Sequence, residues 1–132
     1  EKGLVEGTIR PRDVPEEWHS RMVAYLGLET RDNYRDGPMQ DVHWPSGAFG
    51  YFPSYTLGAM IGAQLWSAME KDIPGLRDEV RHGRFVDINV WRRDKIWLQG
   101  SRYSTPDLLV RATGEKLNAA HFEAHLRQRY LS

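Results

Sequence analysis

A stretch near the middle of the sequence combines residue types that can stabilise a developing negative charge. Residues 37–58 read GPMQDVHWPSGAFGYFPSYTLG, a run rich in glycine and proline with polar-tipped aromatics. A histidine ring donates a hydrogen bond from either nitrogen and a tyrosine hydroxyl donates to an oxyanion, so His43 and Tyr55 could together steady a tetrahedral intermediate. No nucleophile accompanies them. The alternative, a satisfied loop histidine and a tyrosine that fills the core, therefore stays open.

A second candidate is the sequence HFEAH at residues 121–125. His121 and His125 lie four residues apart, so on a helix both imidazoles would face the same side and could reach one zinc ion. In the HExxH motif of zinc hydrolases the glutamate directly follows the first histidine, whereas Glu123 lies roughly 200° around the helix from His121. Since no third ligand is evident, we favour a solvated helix face over a zinc site.

Other catalytic patterns are weaker. Asp41, His43 and Ser46 are close in sequence, but no Gly-x-Ser-x-Gly nucleophile elbow is present. Carboxylate pairs occur only as charges typical of an exposed helix, and no glycine loop followed by Lys-Ser or Lys-Thr is present to bind phosphate. The charged run at 92–95 mixes basic and acidic residues, which is typical of a solvated face.

Composition limits the classes of partner. The 132 residues carry 18 Lys plus Arg and 18 Asp plus Glu, so the net charge is zero and we expect neither nucleic acid nor a membrane as partner. The absence of cysteine excludes disulfides and thiolate chemistry and is typical of a reducing compartment, so we expect a cytoplasmic protein. The length fits one structural unit over 1–132. Because the chain starts at Glu1 without a methionine, we expect it to be a piece of a longer protein.

Helix signals dominate the elements that must position these residues. Asp13 and Pro15, followed by acidic residues, are typical of a helix start, and Gly27 of a helix end. Only Leu4 to Ile9 has a strand pattern, and most of the five tryptophans have the spacing of core residues. We therefore expect an all-α fold, a compact bundle of about six helices. The predicted helices cover about 14–26, 54–71, 74–82, 86–98, 105–113 and 118–130.

Two consecutive segments of the loop carry a family resemblance. Residues 37–44, GPMQDVHW, fit the pattern Gly-x-x-Gln-Asp-x-His-Trp, and residues 46–58, SGAFGYFPSYTLG, fit Ser-Gly-x-Phe-Gly-Tyr-Phe-Pro-Thr-Tyr-x-Leu-Gly almost residue for residue. Both patterns resemble the thermostable carboxypeptidase Taq family, which consists of zinc-dependent metallocarboxypeptidases. The similarity extends over essentially the whole chain, yet it covers only the last quarter or so of a typical family member.

The resemblance implies a role for the loop at 37–58. In related helical zinc peptidases a histidine and a tyrosine face the scissile carbonyl, and by similarity these would be His43 and Tyr55, with Tyr51 in contact with substrate. Gln40 and Asp41 would orient the loop. The family's HExxH helix, its downstream glutamate ligand and an upstream arginine motif are all absent from this sequence. The resemblance thus implies zinc in the full-length protein and no metal on this chain.

The resemblance implies that this chain is the C-terminal segment of a larger, mostly helical, two-lobed zinc carboxypeptidase that removes residues from the C-terminus of peptides. We expect the segment to be inactive alone, because nothing in it generates a nucleophile. Its expected partners are peptide substrates, the missing N-terminal part of the same protein and a second copy in a homodimer. The alternative from a different class is a stand-alone helical module for interaction or oligomerisation, without catalysis.

Overall fold

The computed structural model describes residues 1–131 as seven α-helices and three short 3₁₀ helices, with no β-strand in that range. The all-α prediction is therefore confirmed. None of the helices in the described range is long and apolar enough to cross a membrane. The α-helices are α1 (Lys2–Val5), α2 (Val14–Leu26), α3 (Pro53–Asp72), α4 (Leu76–Arg81), α5 (Val86–Lys95), α6 (Thr105–Thr113) and α7 (Ala120–Tyr130); the 3₁₀ helices are Pro11–Asp13, Pro38–Gln40 and Trp97–Gln99.

The possible strand pattern from Leu4 to Ile9 does not correspond to a strand. This segment starts with the single turn α1 and then reverses at Gly7, whose φ of 72° is left-handed, so that the Ile9 N–H donates to the Gly3 carbonyl at 3.0 Å. A strand needs a pairing partner, and the described residues form none. The helix predicted at 86–98 also ends early, because the chain tightens into a 3₁₀ turn after Ile96.

The chain divides into two compact units, one from Glu1 to Ser54 and one from Tyr55 onward. The prediction of a single structural unit over 1–132 stays a prediction. In the first unit, α2 ends as predicted at Gly27, whose φ of 67° turns the chain so that the Leu28 N–H donates to the Met22 carbonyl at 3.3 Å. Asp13 precedes α2, but its carboxylate accepts from Arg10 Nε at 2.8 Å instead of capping the helix.

In the second unit, the core forms where the C-terminal half of α3 meets α4, α5 and α6. Its buried residues are Ala68, Met69, Ile73, Leu76, Ile88, Trp91 and Ala112. The indole N–H of Trp91 donates to Asp72 Oδ2 at 2.7 Å, which satisfies its polar atom. The expectation that most tryptophans are core holds fully only for Trp91, since Trp97 is 51% exposed.

A buried glutamine fixes the segment between α6 and α7. Gln64 on α3 is 1% exposed, and its amide nitrogen donates to Thr113 Oγ1, the Glu115 carbonyl and the Lys116 carbonyl at 3.0 to 3.3 Å. Its amide oxygen accepts from the Asn118 N–H at 2.9 Å. Because one side chain satisfies groups on several residues of the connection, Gln64 holds that connection against α3.

Candidate functional site

Backbone turns shape the loop that leads to α3. The N–H groups of Ser46 and Ala48 both donate to the His43 carbonyl, at 3.1 and 2.9 Å, so the chain turns tightly after His43. Gly47 and Gly50 each have a φ of 72°, a conformation that residues with a side chain rarely adopt. The sequence predicted a glycine-shaped loop here, and these two glycines are the positions that require it.

Asp41 and His43 form a close pair within this loop. Asp41 Oδ1 accepts the backbone N–H of His43 at 2.7 Å and lies 3.0 Å from Nδ1 of the same residue, and both side chains are largely shielded, at 19% and 16% exposure. The backbone N–H of His43, followed by its ring, lowers the pKa of the Asp41 carboxyl, although partial burial acts in the opposite direction. Asp41 is therefore an ionised acceptor.

This pairing restricts what the His43 ring can donate. Because a carboxylate only accepts, the Nδ1 atom must carry the proton of their hydrogen bond. In the neutral ring Nε2 is then an acceptor, and it becomes a donor only in the imidazolium. The sequence alone left both ring nitrogens available as donors, and the geometry narrows that choice to Nε2 of a charged ring.

Two aromatic side chains pack against the His43 ring. Tyr51 stacks on it with ring centroids 5.6 Å apart, and Phe52 meets it edge-on at 5.0 Å. Tyr51, expected at the site, thus lies against His43, while Phe52 was missed, although it directly follows Tyr51. These two contacts restrict the orientation of the imidazole.

Gln40, Ser46 and Tyr55 are the remaining residues that the sequence singled out. Gln40 Nε2 donates to the Arg35 carbonyl at 2.7 Å, which ties the start of the loop to the preceding turn. Ser46 Oγ donates to the Val42 carbonyl at 2.9 Å. Because this bond uses the hydroxyl proton, the contact does not support a Ser/His/Asp triad. Tyr55 belongs to the second unit, on the first turn of α3, and is 59% exposed.

An acidic residue far away in sequence also contacts the loop. Glu1 Oε1 accepts from the Trp44 indole N–H at 2.9 Å, and Oε2 accepts from the Gly50 N–H at 2.6 Å. Glu1, Trp44 and Asp41 also line a cavity of about 400 Å³ in the first unit. No local pattern in the sequence links residue 1 to residues 44 and 50, so Glu1 was not among the candidates.

The HFEAH segment is arranged differently from a metal site. His121 Nε2 lies 2.7 Å from Glu115 Oε1, and the Asn118 amide donates to the other oxygen of Glu115 at 3.1 Å. These two contacts, His121 first, lower the pKa of Glu115. His121 is thus part of a polar contact at the start of α7. Within residues 1–131 no group of three His, Cys, Asp or Glu side chains could hold a metal ion.

The chain is similar to known proteins over almost its whole length. Residues 1–130 match the family described as carboxypeptidase Taq (M32) metallopeptidase. The chain belongs to this M32 family. Similar proteins include thermostable carboxypeptidase 1 of Pyrococcus furiosus, 39% identical over 99% of this chain, and thermostable carboxypeptidase 1 of Thermus thermophilus, 40% identical over 98%. Among solved structures, Trypanosoma cruzi metallocarboxypeptidase 1 matches 99% of this chain with a TM-score of 0.95 and 44% identity.

The match to these M32 proteins is partial in one respect. The chain spans 26% and 25% of the lengths of the Pyrococcus and Thermus relatives, and 28% of the Trypanosoma structure. It thus corresponds to about a quarter of each, as the family resemblance in the sequence predicted.

Proposed function

We propose that the full-length protein is a metallocarboxypeptidase that releases C-terminal amino acids from peptides, and that this chain supplies residues which bind and polarise the peptide carbonyl. The observation that carries the proposal is the Asp41–His43 pair, whose imidazole packs against Tyr51 and Phe52 in a loop of an M32 family member. A fixed imidazole with a defined proton on Nδ1 is what a preorganised site for developing charge requires.

His43 acts in this proposal through Nε2. Negative charge grows on the carbonyl oxygen as the peptide bond is attacked, and an imidazolium N–H directed at that oxygen stabilises the charge. The ionised Asp41 carboxylate stabilises the same imidazolium from its Nδ1 side. The pair therefore supplies both the donor and a carboxylate that orients it.

Three further residues have roles in the proposed cleft. Tyr55 donates its phenolic proton to the same oxyanion, Tyr51 contacts the substrate while packing on His43, and Gln40 maintains the start of the loop through the Arg35 carbonyl. Tyr51 is about half exposed, which leaves ring surface for a peptide side chain.

The M32 family implies a divalent metal in the full-length protein. The residues of this chain do not fit that ion, because no ligand group of three is present among residues 1–131 and His121 is hydrogen-bonded to Glu115. We propose zinc as the metal, held by residues outside this chain. The side chains of this chain bind and polarise the carbonyl but generate no nucleophile. The isolated chain is therefore expected to hydrolyse no peptide.

The test is Tyr55→Phe in the full-length protein, with Tyr130→Phe as the matched control. The first variant removes the proposed oxyanion donor, so kcat should fall by about a hundredfold with a smaller change in KM. Tyr130 lies at the end of α7 and is 68% exposed, so its variant should keep wild-type kinetics. Wild-type kcat in Tyr55→Phe would remove Tyr55 from the mechanism, and wild-type kcat in His43→Ala would remove the function proposed for the loop.

We further propose that the protein is cytoplasmic and forms a homodimer. Several large apolar side chains of the second unit are exposed, among them Val86 at 72%, Leu98 at 68% and Leu57 at 46%, and such surface favours contact with another chain. The same observation favours the alternative of a stand-alone interaction module. Light scattering on the full-length protein tests the homodimer, which a monomer mass at micromolar concentration would contradict. Catalysis by that protein and not by the isolated chain would separate the enzyme from the module.

A further inference from the structure

One carboxylate joins the two ends of the loop segment that carries His43 and Tyr51. Trp44, which donates to Glu1 Oε1, directly follows His43, and Gly50, which donates to Glu1 Oε2, directly precedes Tyr51. The rings of His43 and Tyr51 stack on each other. Glu1 therefore bridges the neighbours of the two residues whose relative position defines the stack.

The two ends of this segment differ in their backbone hydrogen bonds. The His43 carbonyl holds the first turn through bonds at 2.9 and 3.1 Å, whereas the turn before Tyr51 is closed by one longer bond, from the Tyr51 N–H to the Ala48 carbonyl at 3.4 Å. Gly50 has a left-handed φ of 72°, a conformation that glycine leaves as readily as it enters. Ser54 binds the Tyr51 carbonyl through its N–H at 2.9 Å and its hydroxyl at 2.6 Å, which holds Tyr51 from the side of α3. On the other side of Tyr51, the Gly50 N–H donates to Glu1 at 2.6 Å.

We propose that Glu1 is a positioning residue for His43, acting through the Trp44 and Gly50 contacts that keep Tyr51 stacked on the imidazole. The inference rests on the proposed function of His43. Both groups that Glu1 contacts are donors, and a carboxylate has an acceptor oxygen for each. A glutamine has only one acceptor oxygen, so its NH₂ group would face either the indole N–H or the Gly50 N–H, and one contact would be lost.

The experiment is Glu1→Gln in the full-length protein, compared with Glu6→Gln. Glu6 lies just after α1, and its carboxylate forms an exposed ion pair with Lys2 at 3.9 Å, so this control removes the same charge without touching the loop. Because a small displacement of a catalytic group is costly, kcat should fall about tenfold in Glu1→Gln, with KM within about twofold of wild type. The melting temperature and kinetics of Glu6→Gln should match those of the wild type.

A double variant separates positioning from a general structural role. If Glu1 acts by keeping Tyr51 on His43, Glu1→Gln should lower kcat much less in a Tyr51→Ala background than in the wild type. Trp44→Phe removes one of the two donors and keeps an aromatic ring, so it should lower kcat by a few-fold. This variant also tests the inference if Glu1→Gln does not fold.

Three results would overturn the inference: kcat in Glu1→Gln equal to that of Glu6→Gln, an undiminished effect in the Tyr51→Ala background, or a wild-type kcat in Trp44→Phe. A failure of the proposed function has a different signature, because His43→Ala would then retain wild-type turnover. A strong loss in His43→Ala with normal turnover in Glu1→Gln would remove the positioning role alone.

Discussion

Replacing Asp41 by asparagine separates the charge of this residue from its geometry. The amide oxygen can still accept the His43 backbone N–H and the Nδ1 proton, which lie 2.7 and 3.0 Å from Asp41 Oδ1. Hydrogen bonds to charged groups contribute about 1.5–3 kcal/mol and neutral ones about 0.5–1.5 kcal/mol, so the imidazolium loses about 1.4 kcal/mol of stabilisation. A difference of that size corresponds to a fall of about tenfold in kcat.

The assay is steady-state hydrolysis of a peptide by the full-length Asp41→Asn variant, with Asp36→Asn as control. Asp36 is an exposed aspartate of the same loop region, so its variant makes the same charge change away from His43. KM should change little, because the charged ring is needed mainly when negative charge develops on the substrate. The proposed role of the Asp41 charge is refuted if Asp41→Asn keeps the wild-type kcat, or if kcat falls as far in Asp36→Asn.

Two further predictions concern the second unit. Replacing Gln64 by leucine leaves the Asn118 N–H and several acceptors without their buried partner, so the free energy of unfolding should fall by about 2 kcal/mol in denaturant titrations, whereas the exposed Gln128→Leu should change it by less than about 0.5 kcal/mol. His121 and Asn118 lower the pKa of Glu115 in the folded state, so its contribution to stability is present above the unfolded-state pKa and is lost as the pH falls through the folded-state pKa. Melting curves of wild type and Glu115→Gln should therefore differ near neutral pH and converge in acid, and a difference independent of pH would contradict this.

Helix boundaries were predictable where one residue decides them locally. Gly27 and Gly114 end α2 and α6 in the left-handed conformation, with φ of 67° and 87°. Helix α6 begins at Thr105, as predicted, and its cap is Ser104, whose hydroxyl accepts from the Asp107 N–H. Pro106 near the start of the helix is compatible with either Ser104 or Thr105 as the cap, and only the backbone geometry decides between them.

The chemistry of the loop was predictable in residue type but not in protonation. The spacing of Asp41 and His43 allows the local turn in which a carboxylate accepts the N–H two residues on. That turn brings the same carboxylate to Nδ1, which changes His43 from a general donor into a donor only when charged. Sequence patterns identify donors and acceptors, whereas the proton on a particular nitrogen depends on distances of about 3 Å, which only coordinates supply.

The sequence alone did not predict the long-range polar contacts made by Glu1 and Gln64. Glu1 contacts residues 43 and 49 positions away, and Gln64 contacts residues about 50 positions away. Neither side chain belongs to a motif, since glutamate and glutamine at a helix are ordinarily solvated. In both cases a single side chain satisfies polar groups of several residues that are distant in sequence. A loop that must hold an imidazole in one orientation gains more from such a bridge than from additional turns, because the bridge restrains both ends at once.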